Sequence, residues 1–375
     1  MEFKVNSKQL EKLLTKIIPA VPTRTPMPIL ENFLINIDDG KLTIHATDMD
    51  ISLKSSINVV AEENIQIVVA AKLLFDIVRS LGDTTIVFDI NDKGKINLKT
   101  DKGEYSLSYI KGSEFPEIPS FPQDEDENLK EIIINGEELK EAFDISAFAM
   151  SKEEMRPAMM GVLLKFNDEG LRFVATDGHR LVNLLKKNIN RDFNDQYIVP
   201  ERAITVLQKI LDQKDVKIFI SDSHICFSLT DIELTTRLIG QKYPDYESVI
   251  PLENEYRLKV KTKELHGAVK RMMLFSPANS KRVKFKIEDN NLEISAEDLD
   301  QGSFAKENVS CEYEGENLEI GFNSSYVNDI LAHLNNEEEI VFKLHSSTKA
   351  VIINPTEEKE NSDLMMLLMP VRLNN

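Results

Sequence analysis

Leu171-Arg-Phe-Val-Ala175-Thr-Asp177 sets a pattern, Leu with Ala four and Asp six residues on, that recurs to give three such stretches in this 375-residue chain, and the fold follows from that repetition. Its counterparts are Leu42-Thr-Ile-His-Ala46-Thr-Asp48 and Leu292-Glu-Ile-Ser-Ala296-Glu-Asp298, with the alanines 129 and 121 residues apart. Each stretch reads as a half-buried strand that runs into an acid-bearing turn. Working outward, two more markers recur. Ser7-Lys-Gln-Leu10, Gly136-Glu-Glu-Leu139 and Thr262-Lys-Glu-Leu265 open apolar stripes of helical period at intervals of 129 and 126 residues, with Ser7 and Thr262 as expected N-caps. A second helix per unit is expected over 71–81, 201–211 and 324–334. Three markers in one order define a threefold internal repeat. Within a unit the pattern is strand, helix, strands, helix, strands. Alternating segments such as Thr85-Ile-Val-Phe-Asp89 and Tyr105-Ser-Leu-Ser-Tyr109 give an antiparallel meander. The class is α+β: three similar domains, each with antiparallel sheets and two helices.

Linkers fall where the repeat requires them. Glu114-Phe-Pro116-Glu-Ile-Pro119-Ser-Phe-Pro122 leads into the acidic run 124–127, and Lys242-Tyr-Pro244-Asp-Tyr246 leads to Pro251. Both hold an aromatic–Pro–acid core, which disfavours helix and central strand. The expected domains are 1–125, 126–252 and 253–375.

The composition, 42% apolar and 29% charged, is that of a globular protein. Met1–Gln9 holds no apolar leader segment, no apolar run is long enough to span a membrane, and two cysteines make no disulfide framework, so a reducing cytoplasm is the expected compartment. The net charge of −18 argues against a polyanionic partner unless the basic residues are gathered. They gather on the helices. Lys8, Lys12 and Lys16 share the face of the first helix opposite Leu10, Leu13, Leu14 and Ile17. Lys72 and Arg79 lie on the next helix. Unit two adds Lys140, Arg156, Arg202 and Lys209; unit three adds Lys263, Lys270 and Arg271. The helix over 324–334 has no Lys or Arg. Helices on one common side would form a basic stripe that touches phosphates without reading sequence. Twelve helices from two protomers, at about 10 Å each, give a ring with an opening of roughly 28 Å, loose around a duplex.

At this level of detail the chain resembles a known family. Arg24 with Met27-Pro-Ile-Leu30, Ala175-Thr-Asp-Gly-His-Arg-Leu181, Tyr243-Pro-Asp-Tyr246 and Met369-Pro-Val-Arg-Leu373, in that order, are similar to the bacterial DNA polymerase III beta subunits, the sliding clamps. The resemblance runs end to end. It implies the DNA clamp fold, two protomers joined head to tail in a ring, and a helical inner wall around double-stranded DNA. It implies a non-catalytic processivity role, with the polymerase catalytic subunit, an ATP-driven clamp loader and other proteins as partners. Their short peptides would enter a hydrophobic pocket between domains 2 and 3. One wall is Thr176, Gly178, His179, Arg180 and Leu181. Pro244 and Val249 follow the second linker, and Leu367, Met369, Pro370, Val371 and Arg372 come from the C-terminal strand. Met159 stands where the family usually has another aliphatic residue, and a flexible thioether suits several partners. Two buried apolar anchors are worth about 3–6 kcal/mol before ordering costs, which corresponds to roughly micromolar peptides. Arg24 and Arg156 match DNA-contacting positions. Tyr105 and Leu107, with Leu274 and Phe275, match the ring-closing contact, expected as an exposed hydrophobic edge.

Other chemistry is poorly supported by the residues. Asp177 and His179 suggest an acid–base pair, yet Asp-Gly is a turn signal and no nucleophile is positioned beside them. Asp48 and Asp298 hold the same repeat position without a histidine. The six histidines have no ligand partner at helical spacing, and no Gly-rich phosphate loop is present, so neither a metal nor a cofactor is expected. A scaffold that binds proteins and never meets DNA is the alternative outside enzymology.

Overall fold

The computed structural model describes residues 1–61, 63–118, 121, 129–189, 193–357 and 359–373. The acidic run 124–127, Pro119, Pro122 and the boundary at 125 lie outside the described residues. The first repeat holds β1 (Glu2–Asn6), α1 (Ser7–Ile17), β2 (Asn32–Asp38), β3 (Lys41–Thr47), β4 (Ile51–Asn58), β5 (Val60–Ala61), β6 (Ile65–Ala70), α2 (Ala71–Ser80), β7 (Thr85–Asn91), β8 (Lys95–Lys99) and β9 (Glu104–Lys111). The second holds β10 (Lys130–Asn135), α3 (Gly136–Ala147), β11 (Gly161–Asn167), β12 (Gly170–Thr176), β13 (Arg180–Lys186), β14 (Gln196–Pro200), α4 (Glu201–Ile210), β15 (Asp215–Ile220), β16 (His224–Ser228) and β17 (Ile232–Arg237). The third holds β18 (Tyr256–Lys261), α5 (Thr262–Met273), β19 (Arg282–Glu288), β20 (Asn291–Asp298), β21 (Ser303–Glu314), β22 (Leu318–Asn323), α6 (Ser324–His333), β23 (Glu339–Leu344), β24 (Val351–Pro355) and β25 (Ser362–Leu368).

The three strands that carry the repeat are β3, β12 and β20. The helices begin where the sequence puts them, but two expected caps are wrong. Asn6 caps α1, its side chain accepting from the amides of Lys8 and Gln9. Ser7 instead turns inward, donating to the Gly82 carbonyl at 2.7 Å and accepting from Thr84 N at 3.0 Å. Lys261 precedes α5 without a side-chain cap, and Thr262 is buried. Asn135 serves α3 as Asn6 serves α1, accepting from Glu137 N and Glu138 N. The residue just before the helix has the extended backbone a cap needs; one residue later the chain is already helical.

The chain separates into two compact units, 1–140 with 202–238, and 141–201 with 239–375. Each is built on one long antiparallel sheet. The first runs β10-β15-β16-β17-β4-β3-β2-β6-β9-β8-β7-β1-β5. The second runs β14-β11-β12-β13-β25-β24-β23-β18-β21-β20-β19-β22. The units do not coincide with the repeats, because hydrogen-bonded ladders cross the repeat junctions. Strand β4 pairs with β17 and β13 pairs with β25. In the first unit α1 packs on α2 and on β3 and β4; in the second α5 packs on α6, β20 and β21. The apolar stripe Leu10, Leu13, Leu14 and Ile17 is buried as read. The linker aromatics are anchors: Phe115 packs with Leu30, Leu34 and Val68, while Tyr243 and Tyr246 join a cluster with Leu163, Leu181 and Leu367. Glu114, Glu117, Pro244 and Asp245 beside them are exposed, and Pro116 is half-buried.

Candidate functional site

The turn after β12 explains why Thr and Asp recur. Thr176 Oγ1 donates to the Arg180 carbonyl at 2.7 Å and accepts from Gly178 N at 3.1 Å. Asp177 Oδ1 accepts from His179 N at 2.9 Å and Arg180 N at 3.0 Å. Thr47 and Asp48 make the same four bonds in the first repeat. Asp298 accepts from Asp300 N and Gln301 N in the third. The carboxylate therefore belongs to the turn, and Asp177 is spent on it rather than on an acid–base pair with His179. Gly178 has φ +87°, where a side chain is strained. Met49, at the matching place, bears that conformation with φ +79°.

Arg180 holds this turn to its surroundings. Its guanidinium meets Asp177 at 3.1 Å, Asp329 of α6 at 2.6 Å and the Phe148 carbonyl at 2.8 Å, and lies over the rings of Phe148 and Tyr326. The side chain is only 10% exposed. The sequence reading counts Arg180 as a pocket wall. Its head group is tied within the chain, while the next residue, Leu181, lies in the buried apolar cluster. Tyr326 and Asp329 are absent from the sequence reading. Their helix differs from the others in carrying no Lys or Arg, but nothing in its pattern points to the turn.

Some of the other residues expected at the pocket lie close together. Leu181 faces Leu367 across β13 and β25, and both are buried with Ala158, Tyr243 and Tyr246. Met159 is buried beside the turn; a Cβ on Gly178 would stand 3.8 Å from its Cε. Above this floor Gly178, His179, Pro244, Val249, Met369 and Arg372 are exposed, with Pro370 and Val371 half-buried. The His179 ring stacks on Tyr326 at 5.9 Å, and its carbonyl accepts from Met369 N at 2.8 Å. Val371 N donates to the Gly321 carbonyl, and a Cβ on Gly321 would lie 2.7 Å from Val371 O, so the chain passes there only over glycine. Burial raises the Tyr243 and Tyr246 phenols well above their usual range and keeps both neutral. The result is a buried apolar cluster beneath a partly apolar surface.

The basic residues divide. Lys12, Arg24, Arg79, Arg156, Lys209, Lys263 and Lys270 are exposed. Arg202, expected on the basic face, is held within the chain: its guanidinium meets Asp48 at 2.9 Å and the Pro19 carbonyl at 2.7 Å. It sits at the first turn of α4, where it ties that helix to the β3–β4 turn. Lys16 pairs with Asp231, and Arg271 grips Glu307 with two bonds of 2.7 Å. Of the expected ring-closing residues, Leu274 is 81% exposed, while Tyr105 and Phe275 are half-buried. Leu107 departs from the expected exposed edge: it is 6% exposed, because it points to the inward side of β9.

No helix among the described residues is long and apolar enough to cross a membrane. Residues 1–119, 133–245 and 247–372 match, in order, the N-terminal, central and C-terminal domains of the DNA polymerase III beta subunit. The chain is 30% identical to the beta sliding clamp of Pseudomonas aeruginosa and 28% identical to that of Vibrio cholerae, with full coverage of both chains in each case. Among solved structures, the DNA polymerase III subunit beta of Pseudomonas aeruginosa superposes with a TM-score of 0.92 at 29% identity. The sliding clamp of Bartonella birtlesii, bound to griselimycin, gives 0.92 at 32%. Both cover all of each chain. Threefold repetition, ladders that cross its junctions and these full-length matches lead to one assignment: the chain belongs to the DNA polymerase III beta subunit family, the sliding clamps.

Proposed function

We propose that this chain is a replication sliding clamp whose two copies close head to tail around duplex DNA without reading its sequence. It has no catalytic role; it confers processivity by tethering the polymerase catalytic subunit and other proteins to DNA. The observation that carries this reading is a matched pair of open strand edges. Both internal junctions join the last strand of one half-sheet to the last strand of the next repeat, β4 with β17 and β13 with β25. The remaining members of that series are β9 and β21. Among the described residues, Glu104–Ser108 of β9 pairs only with β8, and Ser303–Ser310 of β21 only with β20. Joining β21 of one copy to β9 of another uses up both edges, and two copies close the series with six repeats.

The exposed cations on the first helices, Lys12, Lys263 and Lys270, with Arg79 and Lys209 on the later ones, support phosphate contact. The chain's net charge of −18 leaves direct affinity weak, so retention is topological. The proposal takes the repeats as 1–125, 126–252 and 253–375, the compartment as cytoplasmic, and the floor around Leu181 and Leu367 as the partner-peptide site. Protein loaded onto nicked circular DNA by its loader should stay bound through a high-salt wash and leave once the circle is cut. Equal loss from circular and linear DNA sinks the encircling reading and leaves a protein-binding scaffold.

A further inference from the structure

The junction of β4 with β17 is laid out like that of β13 with β25, and the ladders fix which residues correspond. The same four hydrogen bonds tie both turns, so Met49 matches Gly178 and Asp50 matches His179. Arg237 N donates to the Asp50 carbonyl at 3.4 Å as Met369 N donates to the His179 carbonyl at 2.8 Å, so Arg237 holds the place of Met369. Thr235 faces Ser52 as Leu367 faces Leu181. Ile225 faces Thr236 as Val351 faces Leu368, which puts His224 in the place of Ala350. The bases of the two junctions agree as well. Leu34 faces Val68 as Leu163 faces Ile198, and Phe115 and Ile118 pack on the first pair as Tyr243 and Tyr246 pack on the second.

The shared framework is lined differently. Where the second junction has Leu181, Leu367, Ala350 and Met369, the first has Ser52, Thr235, His224 and Arg237. These four line a cleft of about 440 Å³. Met49, Ile118 and Phe121 give the cleft an apolar side, and the Phe121 ring lies 6.1 Å from that of His224. Ser223 Oγ bonds His224 Nδ1 at 2.8 Å, and burial with nearby Arg237 lowers the His224 pKa, so the ring is neutral. Arg237 is the cation of the lining; it is exposed, and no carboxylate pairs with it among the described residues. Two exposed carboxylates, Asp50 and Glu117, also line the cleft.

We propose that this cleft is a second peptide site, which takes a partner segment with one carboxylate beside an aromatic residue and rejects the apolar anchors assigned to the other junction. It goes beyond the clamp reading and depends on that reading only for the comparison with the cluster around Leu181 and Leu367. The carboxylate meets Arg237, since guanidinium–carboxylate bonds are strong and directional. The aromatic ring lies among Met49, Ile118 and Phe121. Asp50 and Glu117 hold the number of carboxylates to one, because an acidic run would meet both. The hydroxyls of Ser52 and Thr235 suit a peptide backbone, which both donates and accepts. An apolar anchor is rejected for the converse reason: it would strip water from those hydroxyls and from Arg237 and give them no partner. Each chain then offers two sites of opposed preference, so partners with different docking segments need not compete.

Fluorescence anisotropy with two labelled, amidated probes tests the charge preference. Ser-Asp-Phe-Ser should bind the wild-type chain with a Kd below about 1 mM, and about fivefold tighter than Ser-Asn-Phe-Ser. Arg237→Met, at an exposed position, should remove that difference and leave the circular dichroism spectrum unchanged. Equal binding of the two probes by the wild type, or a preference that survives Arg237→Met, overturns the site. The correspondence of the junctions is tested separately by calorimetry with an apolar probe, amidated Ser-Leu-Ser-Leu-Phe. It should fill one site in the wild-type chain and two in the chain with Ser52→Leu, Thr235→Leu and Arg237→Met. One site in that variant, with thermal unfolding unchanged, overturns the correspondence. Failure of the apolar probe to bind either chain overturns the peptide site at Leu181 and Leu367 instead, and the comparison of the Asp and Asn probes still decides the cleft.

Discussion

Asp48, Asp177 and Asp298 show how a residue type can be read rightly for the wrong consequence. The Asp of each repeat is legible as a turn residue, and the structure gives its bonds. The side chain at the fourth turn position is not legible in the same way. Arg180 looks like a binding residue in sequence and proves to be a tie among β13, α6 and the end of α3. Arg180→Ala leaves the mostly buried Asp177 and the partly exposed Asp329 without their cation, and should lower unfolding free energy by about 2 kcal/mol in urea titration. Gly178→Ala should cost about 1–2 kcal/mol, since alanine is strained at positive φ. His45 sets a pH response. Burial, helped by nearby Lys54, lowers its pKa to about 4, and its Nδ1 has no partner. The folded state holds the ring neutral, while the unfolded chain takes up a proton near 6.5. Stability should be full above pH 6.5 and fall from there down to about pH 4, by at most about 1.4 kcal/mol per pH unit. Replacing His45 by Gln should flatten that part of the curve in denaturation measured at several pH values.

At the scale of elements, periodicity located the starts of all six helices among the described residues, and the three later helices, expected to end at 81, 211 and 334, each stop one residue earlier. A buried stripe of leucines imposes its own register on a helix, and little else competes. The caps were less legible, because Asn6 and Ser7 are both good capping residues and only backbone direction chooses between them. Asn6→Ala should lower stability by about 1 kcal/mol, as should Asn135→Ala, in thermal unfolding followed by circular dichroism. The strands were found as alternating segments, but their partners were not. Alternation says which side of a strand is buried and nothing about which edge meets which. The pairings of β4 with β17 and of β13 with β25 are for that reason absent from the sequence reading. They join Ile51 to Thr236 and Leu181 to Leu367, residues far apart in the chain. The apolar cluster proposed to receive partner peptides depends on the second of these ladders.

For the whole molecule, the decisive quantity is the balance between an acidic chain and its exposed cations. Direct binding to linear duplex should weaken steeply between 50 and 200 mM salt, as phosphate contacts release counterions, whereas protein locked on a closed circle should not respond. Reversing Lys12, Lys263 and Lys270 together to Glu should weaken direct binding to linear duplex and flatten its salt dependence while leaving dimerisation and retention on the closed circle intact, measured by sedimentation beside the retention assay.

Repetition, the burial stripe of each helix, the acid-bearing turns and the resemblance to a clamp family were all available from the order of residues, because each depends on neighbours close along the chain. Which cations stay free, which strands zip across a junction, and whether Arg180 or Leu181 joins the apolar cluster depended on groups brought together from distant segments. Coulombic pairing and cross-strand hydrogen bonding act through space, and no spacing rule along the backbone encodes their partners.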